Sequence, residues 1–152
     1  MLKKIKQTIL QFDMLRQGET VCCALSGGAD SVALLLSLRE LSDEPGNSLS
    51  ISAVHINHML RGEESNRDED FCRGLCERLD IPLKIFRKDA AEYSRTLGMS
   101  VETGARKLRY EIFEEILESD FADKIATAHN LNYTVETVLF RIARGTGLKG
   151  LT

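Results

Sequence analysis

Val21-Cys22-Cys23-Ala24-Leu25-Ser26-Gly27-Gly28-Ala29-Asp30-Ser31 is the stretch that decides the fold. Val21 to Leu25 are apolar without alternation, the pattern of a strand buried on both faces. Ser26-Gly27-Gly28-Ala29 is a glycine turn, and from Asp30 to Leu41 the apolar residues return at helical spacing, with Val32, Leu35, Leu36 and Leu38 on the buried side. A buried strand that passes through glycines straight into a helix is the setting an anion-binding loop needs. The glycines permit positive φ and remove Cβ atoms where an anion approaches the backbone. Free amides at the helix start then face the anion, and the helix dipole adds about 0.3–1 kcal/mol. The Ser26 and Ser31 hydroxyls can donate as well. Asp30 fits an anion site only if a cation such as Mg2+ lies between its carboxylate and phosphate. A bare Gly-Gly-x-Asp is commonly just an Asp N-cap after a glycine turn. The fuller pattern Ser-Gly-Gly-x-Asp-Ser arises by chance in about one window per 10^6 at ordinary residue usage. No Gly-Lys-Ser/Thr follows, so the loop is not of the Walker type.

Outward from this loop, strand and helix signals alternate. Residues 3–15 place Ile5, Ile9, Leu10 and Phe12 at helical spacing before Gly18. After a loop at 43–47, Leu49 to Ile56 reads as a second strand, and 57–64 as polar loop. Ser65 can cap the next helix, with Asp68 three residues on in a box-like pattern, and that helix runs to about Leu79. Ile81 to Phe86 is a third strand with Pro82 near its start. Asp89 to Leu97 is a short helix ended by Gly98. A longer one opens at Ser100 or Val101 and runs through Leu117, with Ala105, Leu108, Ile112, Phe113 and Ile116 inward. Lys124 to Ala128 is a fourth strand, and Asn132 to Arg144 a last helix, closed by Gly145-Thr146-Gly147. This order predicts an α/β fold, a three-layer doubly wound parallel sheet with helices on both faces and right-handed crossovers. Ligands of such sheets bind beyond the strand carboxyl ends, which points to residues 26–31, 55–61, the segment after Phe86, and 129–137.

The chain has 152 residues, 43% hydrophobic and 28% charged, with a formal net charge of -3. That is one domain's worth of chain, 1–152, with enough apolar content to exclude disorder. No apolar run reaches the ~18 residues of a membrane span. Met1 to Lys6 continues as an amphipathic stretch, so no secretory leader is expected. Cys22, Cys23, Cys72 and Cys76 show no Cys-x-x-Cys or zinc-finger spacing; the expectation is a reduced, cytoplasmic protein with structural thiols. On a strand, Cys22 and Cys23 point to opposite faces. The overall charge carries no nucleic-acid signal, which leaves only a local basic patch to supply one.

The Ser26–Ser31 loop resembles that of the PP-loop ATP pyrophosphatases. Three further blocks narrow the resemblance to the tRNA(Ile)-lysidine synthetase family. They are Ala53-Val54-His55-Ile56-Asn57-His58-Met59-Leu60-Arg61, then Glu102-Thr103-Gly104-Ala105-Arg106-Lys107-Leu108-Arg109-Tyr110, and finally Ala126-Thr127-Ala128-His129 with Glu136-Thr137-Val138-Leu139 and Arg144-Gly145-Thr146-Gly147. The resemblance runs from about residue 20 to the end. It implies that ATP, with Mg2+, adenylates the 2-carbonyl oxygen of the wobble cytidine of an isoleucine tRNA. The ε-amine of L-lysine then displaces AMP, a far better leaving group than oxide. Charge at the α phosphate would be stabilised by loop amides, Mg2+ and arginine. By matching position, Ser26, Gly27, Gly28, Ala29, Asp30 and Ser31 hold ATP, Asp30 through the metal, and His55 and Asn57 lie beside adenine. Asp30, Arg106, His129 and Glu136 are the candidate catalytic residues. Arg61, Arg109 and Arg144 are candidate tRNA contacts, with Arg109 second to Arg106 for the phosphate or activated base. A homodimer is the assembly to test.

The chain departs from the family in two ways. Its third block usually carries Asp-Asp-Gln where Asn132, Tyr133 and Thr134 stand, and a neutral amide is a weaker Mg2+ ligand than carboxylate, so weakened adenylation is expected. The family also continues beyond this length, so a piece of a longer chain lacking the last core strand is expected, with an exposed sheet edge. Two other readings compete: a tRNA thiolase of the same superfamily, which needs a reactive cysteine, and a catalytically degraded ATP-binding module. On general grounds an arginine on a helix is usually a solvated charge, and a histidine after a strand usually a satisfied turn residue.

Overall fold

The computed structural model describes residues 2–130 and 138–144. Its elements run α1 (Leu2–Gln11), β1 (Thr20–Ala24), α2 (Ala29–Ser42), β2 (Ser50–Asn57), α3 (Glu63–Leu79), β3 (Leu83–Arg87), α4 (Ala90–Thr96), α5 (Val101–Glu118), β4 (Lys124–Asn130) and β5 (Val138–Arg144). The strands form one sheet in the order β3-β2-β1-β4-β5. β1 to β4 are parallel, and β5 pairs antiparallel with β4.

Strand alternation divides the core in two. Val21, Cys23 and Leu25 of the first strand region join Ile51, Ala53 and Ala126 on one face, beneath Ile5 and Ile9 of α1, Leu34, Leu35, Leu38 and Leu41 of α2, and Cys72, Leu75 and Cys76 of α3. Cys22, Val54 and Ile125 face the other way, against Ala90 of α4 and Leu108, Ile112, Phe113 and Ile116 of α5. The adjacent thiols Cys22 and Cys23 therefore sit in opposite layers, as a strand requires. The chain turns outward from β1 in two directions: α2 leads to β2 on one side, while α4 and α5 cross the other face and deliver β4 to the opposite side. The two crossovers diverge at β1 and β4, and a cleft opens above the carboxyl ends of these strands.

Four local expectations are corrected. Residues 138–144 form a strand, whereas the spacing predicts a helix over 132–144. Val138, Phe140 and Ile142 are β-formers at period two, and pairing with β4 satisfies backbone groups that would otherwise form an open edge. Asn132, Tyr133, Thr134 and Glu136 lie outside the described residues. Ser65 is not an N-cap: α3 begins at Glu63, and the Ser65 hydroxyl accepts from the Arg61 amide at 3.2 Å. Leu36 is 40% exposed, since Leu34 and Leu35 already fill the stripe of α2 that meets the sheet. In α1, Ile5 and Ile9 are buried, but Leu10 is 72% exposed and Phe12 lies past the helix end, also exposed. The two helix starts read at Asp89 and Ser100 hold, and the structure makes both residues N-caps: Asp89 accepts from the Glu92 amide, and Ser100 from that of Thr103. Among the described residues no helix is long and apolar enough to cross a membrane.

Candidate functional site

The cleft above β1 and β4 measures ≈ 640 Å³. Its floor is the loop after β1, contributed by Leu25, Ser26, Gly27, Gly28 and Ser31. One wall carries His58, Leu60, Arg61, Glu64, Ser65 and Asp68, from the segment after β2 and the start of α3. The other carries Thr127 and Ala128 of β4 with Arg109 and Phe113 of α5.

The floor is a backbone device. Gly27 adopts φ +91, a conformation that strains any L side chain. A Cβ there would lie 3.5 Å from Asp68 Cβ and 3.6 Å from Cys72 Sγ, so α3 backs the loop closely. Gly28 is the N-cap of α2, with no side-chain cap, so the first amides of the helix stay available to a ligand. The two serines hold the loop's shape. Ser31 Oγ donates to Gly28 O at 2.9 Å and accepts from the Ser26 amide at 3.1 Å, while the Ser26 hydroxyl reaches Ser31 Oγ at 3.0 Å. The Gly28 amide donates to Ser26 Oγ at 3.3 Å. Sequence reasoning gives both hydroxyls to the anion; here they bond within the loop, and buried Ser31 acts as its internal brace. Asp30 follows in the first turn of α2.

The β2 side is a side-chain device. Asn57, buried at the end of β2, does not line the cleft. Its Nδ2 donates to Glu69 Oε2 at 3.0 Å and Asn66 Oδ1 at 3.3 Å, and its Oδ1 accepts from the Met59 amide at 3.0 Å. Arg87, at the end of β3, grips the same carboxylate with Nε at 2.9 Å from Oε2 and Nη2 at 2.5 Å from Oε1. These bonds, Arg87 first, hold the Glu69 carboxyl down at about 2 against the opposing effect of burial.

Among the described residues around the cleft, three buried polar atoms lack a hydrogen-bond partner within the protein: His55 Nε2, His58 Nδ1 and Thr127 Oγ1. His55 Nδ1 lies 2.7 Å from Leu25 O, which places a proton on Nδ1, so that in the neutral ring Nε2 is a bare acceptor. Burial, then Arg109 and His55, lowers the His58 pKa, so that ring is neutral at pH 7. Burial also lowers the pKa of Arg109, assisted by Arg106 and opposed by Tyr110. Unsatisfied groups of this kind mark a surface shaped for a polar ligand.

Of the sequence-predicted residues, the cleft brings together Ser26, Gly27, Gly28, Ser31, His55, Arg61 and Arg109. Ala29 and Asp30, in the first turn of α2, adjoin its floor without lining it. Arg106 is exposed on α5, its guanidinium 5.6 Å from the Tyr110 ring centroid; Arg109, one turn on, is the arginine that reaches the cleft. His129 lies near the carboxyl end of β4, next in sequence to the cleft-lining Ala128. Arg144 pairs in register with Lys124, at the opposite end of β4 from the cleft. Sequence reasoning missed Thr127, Phe113, Glu64 and the site-facing position of Asp68; the i,i+4 spacing of Glu64 and Asp68 on one helix face was the available signal.

A parallel sheet with its ligand cleft at the switch point, floored by a Ser-Gly-Gly-x-Asp-Ser turn, defines a nucleotide-binding α/β domain. The chain belongs to the PP-loop domain family, whose model matches residues 1–152. It is 39% identical over 151 residues to a tRNA(Ile)-lysidine synthase of Caldanaerobacter subterraneus subsp. tengcongensis, covering 99% of this chain and 32% of that protein. It is 43% identical over 148 residues to a tRNA(Ile)-lysidine synthase of Clostridioides difficile, covering 97% and 32%. The chain thus spans about a third of the length of these relatives. Among solved structures, it is similar to the U34-tRNA thiolase NcsA from Methanococcus maripaludis with its [4Fe-4S] cluster, at TM-score 0.70 and 25% identity, covering 86% of this chain and 44% of that one.

Proposed function

We propose that this chain is the ATP-binding part of a cytoplasmic enzyme that makes lysidine: it activates the wobble cytidine of an isoleucine tRNA with ATP so that L-lysine can replace AMP. The observation that carries this reading is the cleft itself. Its floor offers backbone amides to phosphate at the start of α2, and its rear presents the unpaired acceptor His55 Nε2 to a donor. The similarity to lysidine synthases at about 40% identity supports the choice of reaction over other ATP chemistry.

On this reading, the amides of the Ser26–Ser31 loop bind the phosphates and the bracing by Ser31 keeps those amides aligned. The donor set suits Mg2+. Among the described residues no three His, Cys, Asp or Glu side chains converge as a cage, so the carboxylates that would hold a cation here are Asp30, which adjoins the floor, and Glu64 and Asp68 on the β2-side wall. Bound there, Mg2+ would offset the negative charge that gathers at the α phosphate. Arg109, partly buried and near enough to His58 to help lower its pKa, would do the same from the α5 wall. Arg61, at the exposed lip, is the tRNA contact, and a homodimer is the assembly we would look for. Glu136 and the Asn132–Tyr133 departure remain part of the proposal through sequence alone.

Incubation of the intact parent protein with ATP, L-lysine and isoleucine tRNA, followed by mass spectrometry of the wobble nucleoside, should show cytidine converted to lysidine with release of AMP and pyrophosphate. Sulfur in place of the cytidine 2-oxygen, with no lysine attached, would favour the thiolase reading. ATP binding with neither product would favour a binding module.

A further inference from the structure

The polar cluster around Glu69 stands behind the cleft and touches no ligand surface, yet it holds one of the cleft's walls. Glu69 is 1% exposed, on α3, and accepts from three elements at once. Arg87 donates from β3, Asn57 from the end of β2, and Arg73 from α3 itself at 3.2 Å. Of these donors only Asn57 passes the constraint onward. Its amide nitrogen is fixed on Glu69, so its Oδ1 must face the Met59 amide. Met59 sits at φ +57, a left-handed conformation that a residue of this size adopts only when neighbours impose it. The turn at Met59 carries His58 inward and lays Leu60 and Arg61 along the cleft. Backbone bonds pin the far side of the same segment, from the Lys88 amide to Asn57 O at 2.9 Å and from the Ala90 amide to His58 O at 3.1 Å.

We infer that Glu69 is a positioning residue: by orienting the Asn57 side chain it holds the left-handed turn at Met59 and so sets where His58, Leu60 and Arg61 stand in the cleft. A plain staple between α3 and β3 would need only the Arg87–Glu69 pair, and Asn57 polarity would be irrelevant to it. The positioning role depends on which partner donates. In Glu69→Gln, an amide oxygen turned to Arg87 leaves an NH2 against the Asn57 NH2, two donors face to face. Asn57→Asp alone sets two carboxylates together. With both changes made, the carboxylate at position 57 accepts from the side-chain NH2 at position 69 and from the Met59 amide, and the formal charge of the cluster is unchanged.

The test is a reciprocal swap in the intact protein, read by hydrogen exchange at residues 57–62 and by calorimetric titration with ATP and Mg2+. Each single change should raise exchange of the Met59 amide about tenfold and weaken ATP binding about fivefold to tenfold. The double variant should return both to within about threefold of the starting protein. If Glu69→Gln alone does not fold, recovery of the double variant relative to Asn57→Asp supplies the same comparison. Unchanged Met59 exchange in the singles, or a double variant no better than either single, overturns the inference. The binding arm rests on the ATP reading, whereas the exchange arm does not. Reciprocal exchange behaviour in a protein that never binds ATP would sink that reading and leave the positioning role standing.

Discussion

The floor of the cleft and its β2-side wall are built from different materials. The floor is main chain: two glycines, a helix start and a pair of serines that bond to one another within six consecutive residues. The wall is side chain: its shape depends on Asn57, Glu69 and Arg87, on three separate elements. A backbone site tolerates little change in residue type at its glycines but is indifferent to distant charge. A side-chain site tolerates reciprocal substitution but is sensitive to protonation. The two halves of one cleft should therefore fail differently.

The largest effect is expected at the floor. Gly27→Val puts a β-branched residue at φ +91, at a strain of about 1–3 kcal/mol, and covers the backbone where phosphate would approach. Affinity for ATP should fall at least about 100-fold, equivalent to about 2.7 kcal/mol. Gly46→Val is the matched control. Gly46 has φ +84 in the loop between α2 and β2, with nothing within 4 Å of an added Cβ, and is not among the cleft's lining residues. It should lose comparable stability in a thermal melt and keep ATP affinity within about twofold. Equal losses of affinity in the two variants would mean that the floor matters only for folding.

A smaller and pH-limited effect is expected at the wall. The Glu69 carboxyl titrates at about 2 in the folded protein against an ordinary 4.5, because Arg87 above all, then Asn57 and Arg73, favour the charged form. A depressed carboxyl adds stability that is complete above the ordinary value and is lost as pH falls toward the folded one. The stability gap between the starting protein and Glu69→Gln should thus be constant above pH 4.5, narrow between about 4.5 and about 2, and close below that. A gap that stays constant down to pH 2 would place the cluster's contribution in packing and not in charge.

The same division explains what could be read in the sequence. The floor was legible because a glycine turn between an apolar strand and a helix is encoded by adjacent residues. The parallel sheet with helices on both faces followed from the same alternation of strand and helix signals. The wall was not, because Glu69 is 12 residues from Asn57 and 18 from Arg87, and no local pattern relates them. Asn57 accordingly read as an adenine neighbour, whereas its side chain belongs to the cluster behind the wall. Arg106 and Arg109 were separable only by knowing which face of α5 meets the sheet. Residues 138–144 satisfy both helical and strand spacing, and a free β4 edge, a tertiary fact, decides between them. Ser65 has the composition of a cap but lies inside a helix that starts at Glu63.

The least perturbing experiment asks whether the thiols belong to the chemistry, as they would in a sulfur-transfer enzyme. All four cysteines are buried. Burial pushes Cys22 and Cys72 up to about 12, raises Cys23 well above its ordinary value, and raises Cys76 as well. The thiolate is the reacting form, so at pH 8 the ionised fraction at Cys22 and Cys72 is on the order of one in 10^4 even before access is considered. Native protein treated with iodoacetamide should show no labelling within an hour, and unfolded protein should label at every cysteine. Fast modification of one thiol in the native state would revive sulfur chemistry. Cys72 is the informative position, because its sulfur lies 3.6 Å from where a Gly27 Cβ would be and 3.4 Å from His55 Nδ1. A group attached there would press the floor from behind, so if Cys72 did label, ATP binding should fall with it, and floor and wall would be shown to share one support.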